Sequence, residues 1–151
     1  MKLTVEIELN MDIEGLGEKV IEASRKAMNE TVQLVHNDVI KNAITLRMVK
    51  TGTNNRSIKS EVSGLGINEI VDPNKIEGAV YSTSGYGGYL EVGTRPHTIT
   101  VKKAKVLSDG ENFFGKTVYH PGMNARPYFK PALDKNFNTE LFTKRVRDNL
   151  K

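Results

Sequence analysis

The feature that most constrains the fold is an apolar pattern of helical period between Leu16 and Leu46. Apolar side chains recur there at spacings of three and four, and the window holds one glycine near its start and no proline. This broad apolar face is typical of an amphipathic helix. A helix of about 30 residues is roughly 45 Å long. It must therefore cross a sheet or project beyond a domain of this size.

Shorter segments on either side of this helix have the pattern of β-strands. Residues 2–9 alternate between polar and apolar side chains, which predicts a half-buried strand. Further strands are predicted from apolar and β-branched stretches at Ser57–Val62, Ile76–Tyr81, Tyr89–Thr94, Thr98–Val101 and Thr117–Tyr119. Between them we expect two polar segments, residues 63–75 and residues 102–116, the second as a mobile hairpin or loop.

The chain is predicted to end in one more helix. Pro131 suits the first helical position, where its missing N–H costs nothing. Leu133, Phe137 and Leu141 follow at spacings of four and continue the apolar face towards the C-terminus. The predicted fold is α+β: an antiparallel or mixed β-sheet packed by one long helix in the N-terminal half and by a C-terminal helix. A length of 151 residues is typical of one domain, so we expect a single domain over residues 1–151.

Composition excludes several classes of protein. The chain has no cysteine, which rules out disulfides and thiolate metal sites. Its acidic, alternating N-terminus is not expected to be a signal peptide. No apolar run approaches the roughly 20 residues of a membrane span. The net charge of +4 is mild and is spread over the sequence, apart from lysines near residue 103 and near the C-terminus.

No familiar catalytic pattern is present. The sequence lacks the glycine-bounded serine of a nucleophile elbow and the phosphate-binding loop of nucleotide-binding proteins. A small hydrolase with a zinc site built from Glu91, His97 and His120 is one hypothesis, although their spacing matches no short ligand motif. His36 lies in the long helix without a histidine partner one turn later. We therefore expect no enzyme, no cofactor and no metal.

Two segments combine glycine and proline with aromatic residues: residues 85–96, here called the glycine segment, and residues 119–133, the proline segment. Within the predicted strand of the glycine segment, Glu91 is expected to point outward beside Tyr89. It is either an exposed carboxylate or the partner of Arg95 or Arg126, and across a subunit boundary such a pair would set register.

The run Arg126–Phe129 in the proline segment has two interpretations. Phe129 is predicted to fill the core at the start of the last helix. Tyr128 either covers that core or belongs to an interface, where tyrosine and arginine are enriched.

Taken in order, several motifs resemble a protein family of long-tailed bacteriophages, the head–tail joining or tail-completion proteins, also called minor tail components. The motifs are Thr51–Gly52 with Arg56–Ile58, then Tyr89–Thr94, then His120–Gly122 and Ala125–Leu133. They span roughly residues 30–135. The chain departs from the family pattern twice, since Thr53–Arg56 stands where a leucine is usual and Tyr128 stands where a phenylalanine is usual.

The resemblance implies a structural virion protein without catalytic residues. It would be assembled in the bacterial cytoplasm and would form a ring, with sixfold symmetry expected, at the neck of the particle. Its partners would be portal, adaptor or stopper proteins on the head side and the tail terminator or tail-tube protein on the tail side. DNA would pass through the channel without sequence-specific binding, and no membrane would be involved.

The residues predicted to form interfaces are Tyr86, Tyr89, Glu91, Arg95, Lys102, Lys103, Phe113, Phe114, Arg126 and Tyr128. The alternative function is a basic nucleic-acid-binding module, suggested by an isoelectric point near 9.2 and by the lysines at 102, 103 and 105. Binding through phosphate contacts would then fall steeply with salt.

Overall fold

The computed structural model of the chain describes residues 1–8, 16–48, 52–63, 75–102 and 105–151. In these residues the helices are α1 (Leu16–Thr45), α2 (Thr53–Arg56), α3 (Gly87–Val92), α4 (Lys130–Asn136) and α5 (Thr139–Asn149). The strands are β1 (Lys2–Glu8), β2 (Ile58–Val62), β3 (Lys75–Ser82), β4 (His97–Thr100), β5 (Leu107–Ser108), β6 (Phe113–Gly115) and β7 (Thr117–His120). The predicted α+β class, with a long helix in the N-terminal half and a C-terminal helix, is confirmed. Residues 64–74, most of the predicted polar segment 63–75, lie outside the described ranges.

The central sheet has three antiparallel strands in the order β1-β3-β2, so β3 is hydrogen-bonded on both sides. Leu3 is opposite Val80, and Glu61 is opposite Ala79. Leu3 and Val5 pack against the core, whereas their neighbours in the strand, Lys2 and Thr4, are exposed. The strands predicted at residues 2–9, Ser57–Val62 and Ile76–Tyr81 are confirmed as β1, β2 and β3, although Leu9 lies outside the described residues.

Helix α1 crosses the sheet. It contacts β2 and β3 along the sheet, and α4 and α5 alongside it. Its core-facing side chains include Met28, Val32, Val35 and Val39, all nearly or fully buried. Burial of such side chains contributes about 1.5–3 kcal/mol each. The 30-residue helix is therefore the main surface on which the sheet and the last two helices pack.

The predicted single C-terminal helix is in fact two helices. Phe137 is extended (φ −132°, ψ 116°) and interrupts the helical path between α4 and α5. Asn138 then begins α5, because its Oδ1 accepts the Leu141 N–H at 2.8 Å. The side chains of Phe137 and Phe142 lie 6.1 Å apart, ring centre to ring centre, across this break. The break lets both short helices pack on α1.

A two-stranded ribbon extends between the glycine and proline segments. Strands β4 and β7 pair from His97 opposite His120 to Thr100 opposite Thr117. Between β4 and β7 in the sequence, β5 and β6 form an antiparallel hairpin. The strands predicted at Thr98–Val101 and Thr117–Tyr119 are confirmed, and residues 102–116 contain the predicted hairpin, although Lys103 and Ala104 lie outside the described residues. No described helix has the length and apolarity needed to cross a bilayer.

We expect Gly78→Ala to destabilise the fold. A Cβ at Gly78 in β3 would lie 2.5 Å from Val32 Cγ2 and 2.7 Å from Met28 Sδ of α1. Overpacking of this kind lowers the free energy of unfolding by about 1–3 kcal/mol. The control is Gly17→Ala in α1, where a Cβ would meet nothing within 4 Å and the free energy should stay equal or rise by up to about 1 kcal/mol. Denaturant unfolding that shows equal effects would contradict the close packing at Gly78.

We also expect an acid-sensitive contact between α1 and α4. The Asp38 carboxylate accepts from Lys135 Nζ at 2.6 Å and from Asn136 Nδ2 at 2.9 Å. The hydrogen bond from Lys135, followed by that from Asn136, lowers the pKa of Asp38 below its usual value. Because the folded pKa is the lower one, this contribution to stability is present above about pH 4 and is lost as the pH falls further, through the folded pKa.

Asp38→Asn should therefore lower the free energy of unfolding by about 1 kcal/mol near neutral pH. The difference from the wild type should shrink when unfolding is measured near pH 3. The matched control is Asp148→Asn, which removes the exposed pair with Lys151 and should change little at either pH. A difference that grows on acidification would contradict the assignment.

Candidate functional site

The glycine and proline segments are hydrogen-bonded to each other, although they are separated in the sequence by the whole ribbon. Thr94 N donates to Met123 O at 2.8 Å, and Met123 N donates to Thr94 O at 3.0 Å. Arg126 N donates to Leu90 O at 2.9 Å. We call this contact region the junction. It fixes the two ends of the ribbon, which begins and ends beside it.

The prediction of a strand at Tyr89–Thr94 is wrong, because this part of the chain is the short helix α3 (Gly87–Val92). A helical period directs Glu91 into the protein and leaves Tyr89 and Val92, three residues apart, on the outer side. Tyr89 is 60% exposed and Val92 is 74% exposed. The predicted neighbours on one strand face therefore lie on opposite sides of the element.

Glu91 joins the junction to the start of α4. Its Oε2 accepts the N–H groups of Tyr128 at 2.8 Å and Phe129 at 2.9 Å, and its Oε1 accepts the Lys130 N–H at 2.9 Å. These are backbone groups that the first turn of a helix cannot satisfy itself, and the negative charge suits the positive end of the helix. Glu91 is only 6% exposed, so the bonds are largely shielded from water.

The roles predicted for Glu91 in an interface and in a pair with Arg95 or Arg126 are therefore wrong. Its carboxylate is buried within its own chain, and both oxygens accept from the backbone of the proline segment. Because the carboxylate is buried, the alternative prediction of an exposed carboxylate is wrong as well. Glu91 is a structural residue of the junction.

Tyr128 and Phe129 are both fully buried beneath the junction. Their rings meet edge to face with centres 4.7 Å apart. The Tyr128 hydroxyl donates towards Gly87 O at 3.4 Å, with Asn54 Oδ1 at 3.5 Å, and burial raises the pKa of this hydroxyl. The core position predicted for Phe129 is confirmed, whereas the interface role predicted for Tyr128 is wrong. A tyrosine suits this place because its hydroxyl enters a polar cluster.

The polar cluster around the Tyr128 hydroxyl includes residues of the region Thr51–Ile58. Thr51 itself lies outside the described residues. Ser57 O accepts the Thr83 N–H at 2.9 Å, and Ser57 Oγ lies 2.9 Å from Ser82 Oγ. Asn54, on α2, is the residue that approaches the Tyr128 hydroxyl. The cluster thus links α2 and the start of β2 to the end of β3 and to the buried Tyr128.

Gly93 shows how tightly the junction is packed. Its backbone has φ 77° and ψ −178°, a conformation that favours glycine. A Cβ there would lie 2.5 Å from Met123 O and 2.7 Å from Ala125 N. The glycine therefore serves both the turn after α3 and the close approach of the proline segment.

Most of the other predicted interface residues are exposed. Tyr86 is 40%, Tyr89 60%, Phe113 79% and Phe114 48% exposed. The side chains of Arg95, Lys102 and Arg126 are exposed as well, and Lys103 lies outside the described residues. Exposure is compatible with an interface, and the interface itself stays a prediction. The structure does not bring these residues into one patch, since some belong to the junction and others to the ribbon.

An open apolar groove lies beside the junction, at the base of the ribbon. It has a volume of about 830 Å³ and is lined by Tyr89, Val92, Gly93, Thr94, Arg95, Pro96, His97, Ile99, His120 and Met123. We call it the groove. Sequence reasoning missed the contribution of Val92, Ile99 and Met123. Their apolar character alone predicts burial, and only the helical turn of α3 and the pairing of β4 with β7 place them at the surface.

The two histidines of the groove are held in defined orientations. Their rings face each other across β4 and β7, with centres 5.0 Å apart. His97 Nδ1 lies 2.8 Å from Arg95 O and therefore carries the proton of that bond. His120 Nδ1 accepts the Gly122 N–H at 3.1 Å. The Nδ1 atoms of both histidines are thus hydrogen-bonded within the chain.

The arrangement offers no support for the zinc-hydrolase hypothesis at Glu91, His97 and His120. Both oxygens of the Glu91 carboxylate are bonded to backbone N–H groups. Among the described residues, no three His, Asp or Glu side chains are placed to hold a metal ion. His36 lies apart from this site on α1, with its Nε2 3.4 Å from Ile58 O.

We expect Glu91→Gln to weaken the junction. An amide has one acceptor oxygen, and its NH₂ group would face backbone donors, so the free energy of unfolding should fall by about 2–3 kcal/mol. The control is Glu18→Gln, because Glu18 is an exposed acidic residue in the first turn of α1; it should cost at most about 1 kcal/mol. Denaturant unfolding measures both. Equal costs would show that the buried bonds of Glu91 do not carry the junction.

No family model matches the chain, and no curated protein or solved structure is found to be similar to it. What the site can do therefore has to follow from its own contacts and from its sequence motifs.

Proposed function

We propose that the protein is a structural component of the virion of a long-tailed bacteriophage. In this proposal it is a tail-completion or head–tail joining protein that forms a ring of six subunits at the neck. It carries out no catalysis. Its neighbours are portal, adaptor or stopper proteins on the head side and the tail terminator or tail-tube protein on the tail side, and DNA passes through the channel.

The observation that supports the proposal best is the contact between the second and third motifs. They resemble the phage family separately, and they meet at the junction, where the Glu91 carboxylate accepts the N–H groups of Tyr128, Phe129 and Lys130. A chance likeness of short stretches would not require them to meet in space. The contact gives a physical reason for their occurrence together in one chain.

The division between buried and exposed residues also favours a binding protein. Inside the junction, the polar groups of Glu91 and Tyr128 are bonded within the chain. Outside it, large apolar side chains such as Val92, Phe113 and Tyr119 are 68–79% exposed. A partner that covers such side chains would gain the free energy of burying them. Two different surfaces, the groove and the ribbon, suit the head-to-tail contacts that close a ring.

The proposal predicts a defect in the assembly of particles. Phage particles made without this chain should accumulate as filled heads and separate tails, and the supplied wild-type chain should restore joined particles. Arg126→Glu, which reverses an exposed charge beside the junction, should lower joining at least about tenfold, because like charges placed together at an interface cost several kcal/mol. Electron microscopy of particles and counts of infectious units measure this.

The matched control is Lys144→Glu, a charge reversal at an exposed position of α5. It should restore joining as the wild type does. Both variants should unfold like the wild type, so that a defect is not due to misfolding. If the chain is missing from purified particles by mass spectrometry, or if particles without it are joined and infectious, the proposed function is wrong.

A further inference from the structure

We infer that the end of the ribbon in one copy of the protein binds in the groove of a second copy. The end, called the tip, comprises residues 107–115, with Phe113 and Phe114 on β6. This inference rests on the proposed function for its biological meaning, since it names the contact that would build the ring. Its physical basis lies in the two surfaces themselves.

The tip presents aromatic side chains that its own chain leaves uncovered. Phe113 is 79% exposed and Phe114 is 48% exposed, although both belong to a strand. A phenylalanine exposed to this degree loses the favourable free energy of burial, so a partner that covers it gains that energy. Neither phenylalanine lines the groove of its own chain.

The turn of the tip is held by hydrogen bonds within its own chain. The Asp109 carboxylate accepts the N–H groups of Asn112 at 2.7 Å and Glu111 at 3.0 Å, and Ser108 Oγ accepts the Gly110 N–H at 3.0 Å. These bonds hold the turn that precedes Phe113. A turn held in this way has less conformational entropy to lose on binding, which favours affinity.

The groove has the complementary properties. Its volume of about 830 Å³ lies in the range of roughly 300–1,000 Å³ that protein pockets for ligands have. Tyr89, Val92 and Ile99 supply apolar surface and are 60%, 74% and 37% exposed. The space is therefore open, and aromatic side chains of a partner would cover apolar groups that now face water.

The charges of the two surfaces are opposite. The turn of the tip carries Asp109 and Glu111, whereas the described residues that line the groove include Arg95 and no acidic residue. The backbone N–H groups of Asn112 and Glu111 lower the pKa of Asp109, which keeps it ionised. An acidic aromatic tip thus fits an apolar groove that carries an arginine, and complementary charge directs the register of an interface.

Tip and groove are different surfaces, so each copy can use its tip on one neighbour and its groove on the other. Such head-to-tail contacts produce a closed ring if the rotation between copies closes, and an open filament if it does not. The ring of the proposed function requires this head-to-tail use of the two surfaces.

Crosslinking between two different copies tests the inference. The chain has no cysteine, so each introduced thiol is the only one. Purified Lys116→Cys protein, with its thiol at an exposed position beside the tip, is mixed with size-tagged Asn124→Cys protein, with its thiol at an exposed position beside the groove residue Met123, and treated with a short bismaleimide. Because a bound partner has a far higher effective concentration than a free one, the mixed crosslink should exceed that of a control pair at least about tenfold. The control pair is Lys116→Cys with Gln33→Cys, an exposed position on α1.

A second measurement checks the role of charge. Glu111→Arg combined with Lys116→Cys should lose the excess crosslink to Asn124→Cys, and Arg95→Glu in the Asn124→Cys partner should restore it. A mixed crosslink no stronger than the control overturns the inference. So does an excess crosslink that the charge changes leave unaltered, because the tip would then not occupy the groove in the inferred register.

The outcome can be separated from that of the proposed function. A chain found in joined particles but without the tip–groove crosslink keeps its virion role and loses this contact. A strong tip–groove crosslink in a chain that is missing from particles keeps the contact and refutes the virion role.

Discussion

The three hydrogen bonds of the Glu91 carboxylate are the interaction on which the rest of the site depends. They connect residues 37 to 39 positions apart and tie α3 to the first turn of α4. The same turn places Tyr128 and Phe129 in the core, where they are fully buried. A charge is tolerated there because every bond it makes is to a backbone N–H group that would otherwise lack a partner in the helix. Removal of the carboxylate would leave those groups unsatisfied together.

The parts of the fold that sequence predicts well are those in which a pattern repeats often. The 30 residues of α1 repeat the helical period about eight times, so the pattern is decisive. Strand β1 alternates over seven residues with the same effect. By contrast, α3 has six residues and α4 has seven, too few for the period of an apolar pattern to distinguish helix from strand. The break between α4 and α5 has a local signal in Asn138, a common first residue of helices, but the spacing of Leu133, Phe137 and Leu141 predicts a continuous helix instead.

The candidate site could also be predicted only in part, because its contacts join residues that are far apart in the sequence. The glycine and proline segments are recognisable by composition, and the exposure of Phe113 and Arg126 agrees with expectation. The role of Glu91 depends on three N–H groups far away in sequence, and no local pattern encodes their position. The same holds for the groove, since Val92 and Ile99 are apolar residues that remain exposed, 74% and 37%, only because of how α3 and β4 are oriented. Long-range geometry, not residue type, decides both.

The pairing of Thr94 with Met123 has a consequence for how such a chain can change over time. It closes residues 95–122 into an excursion whose two ends are fixed at one point, so the core does not depend on what lies between them. The entropy of closing a loop grows slowly, by about 0.6 kcal/mol for each doubling of its length. Insertions, deletions or a new sequence within the excursion would therefore leave the scaffold intact while they alter the surface it displays. One core could in this way serve many different neighbours.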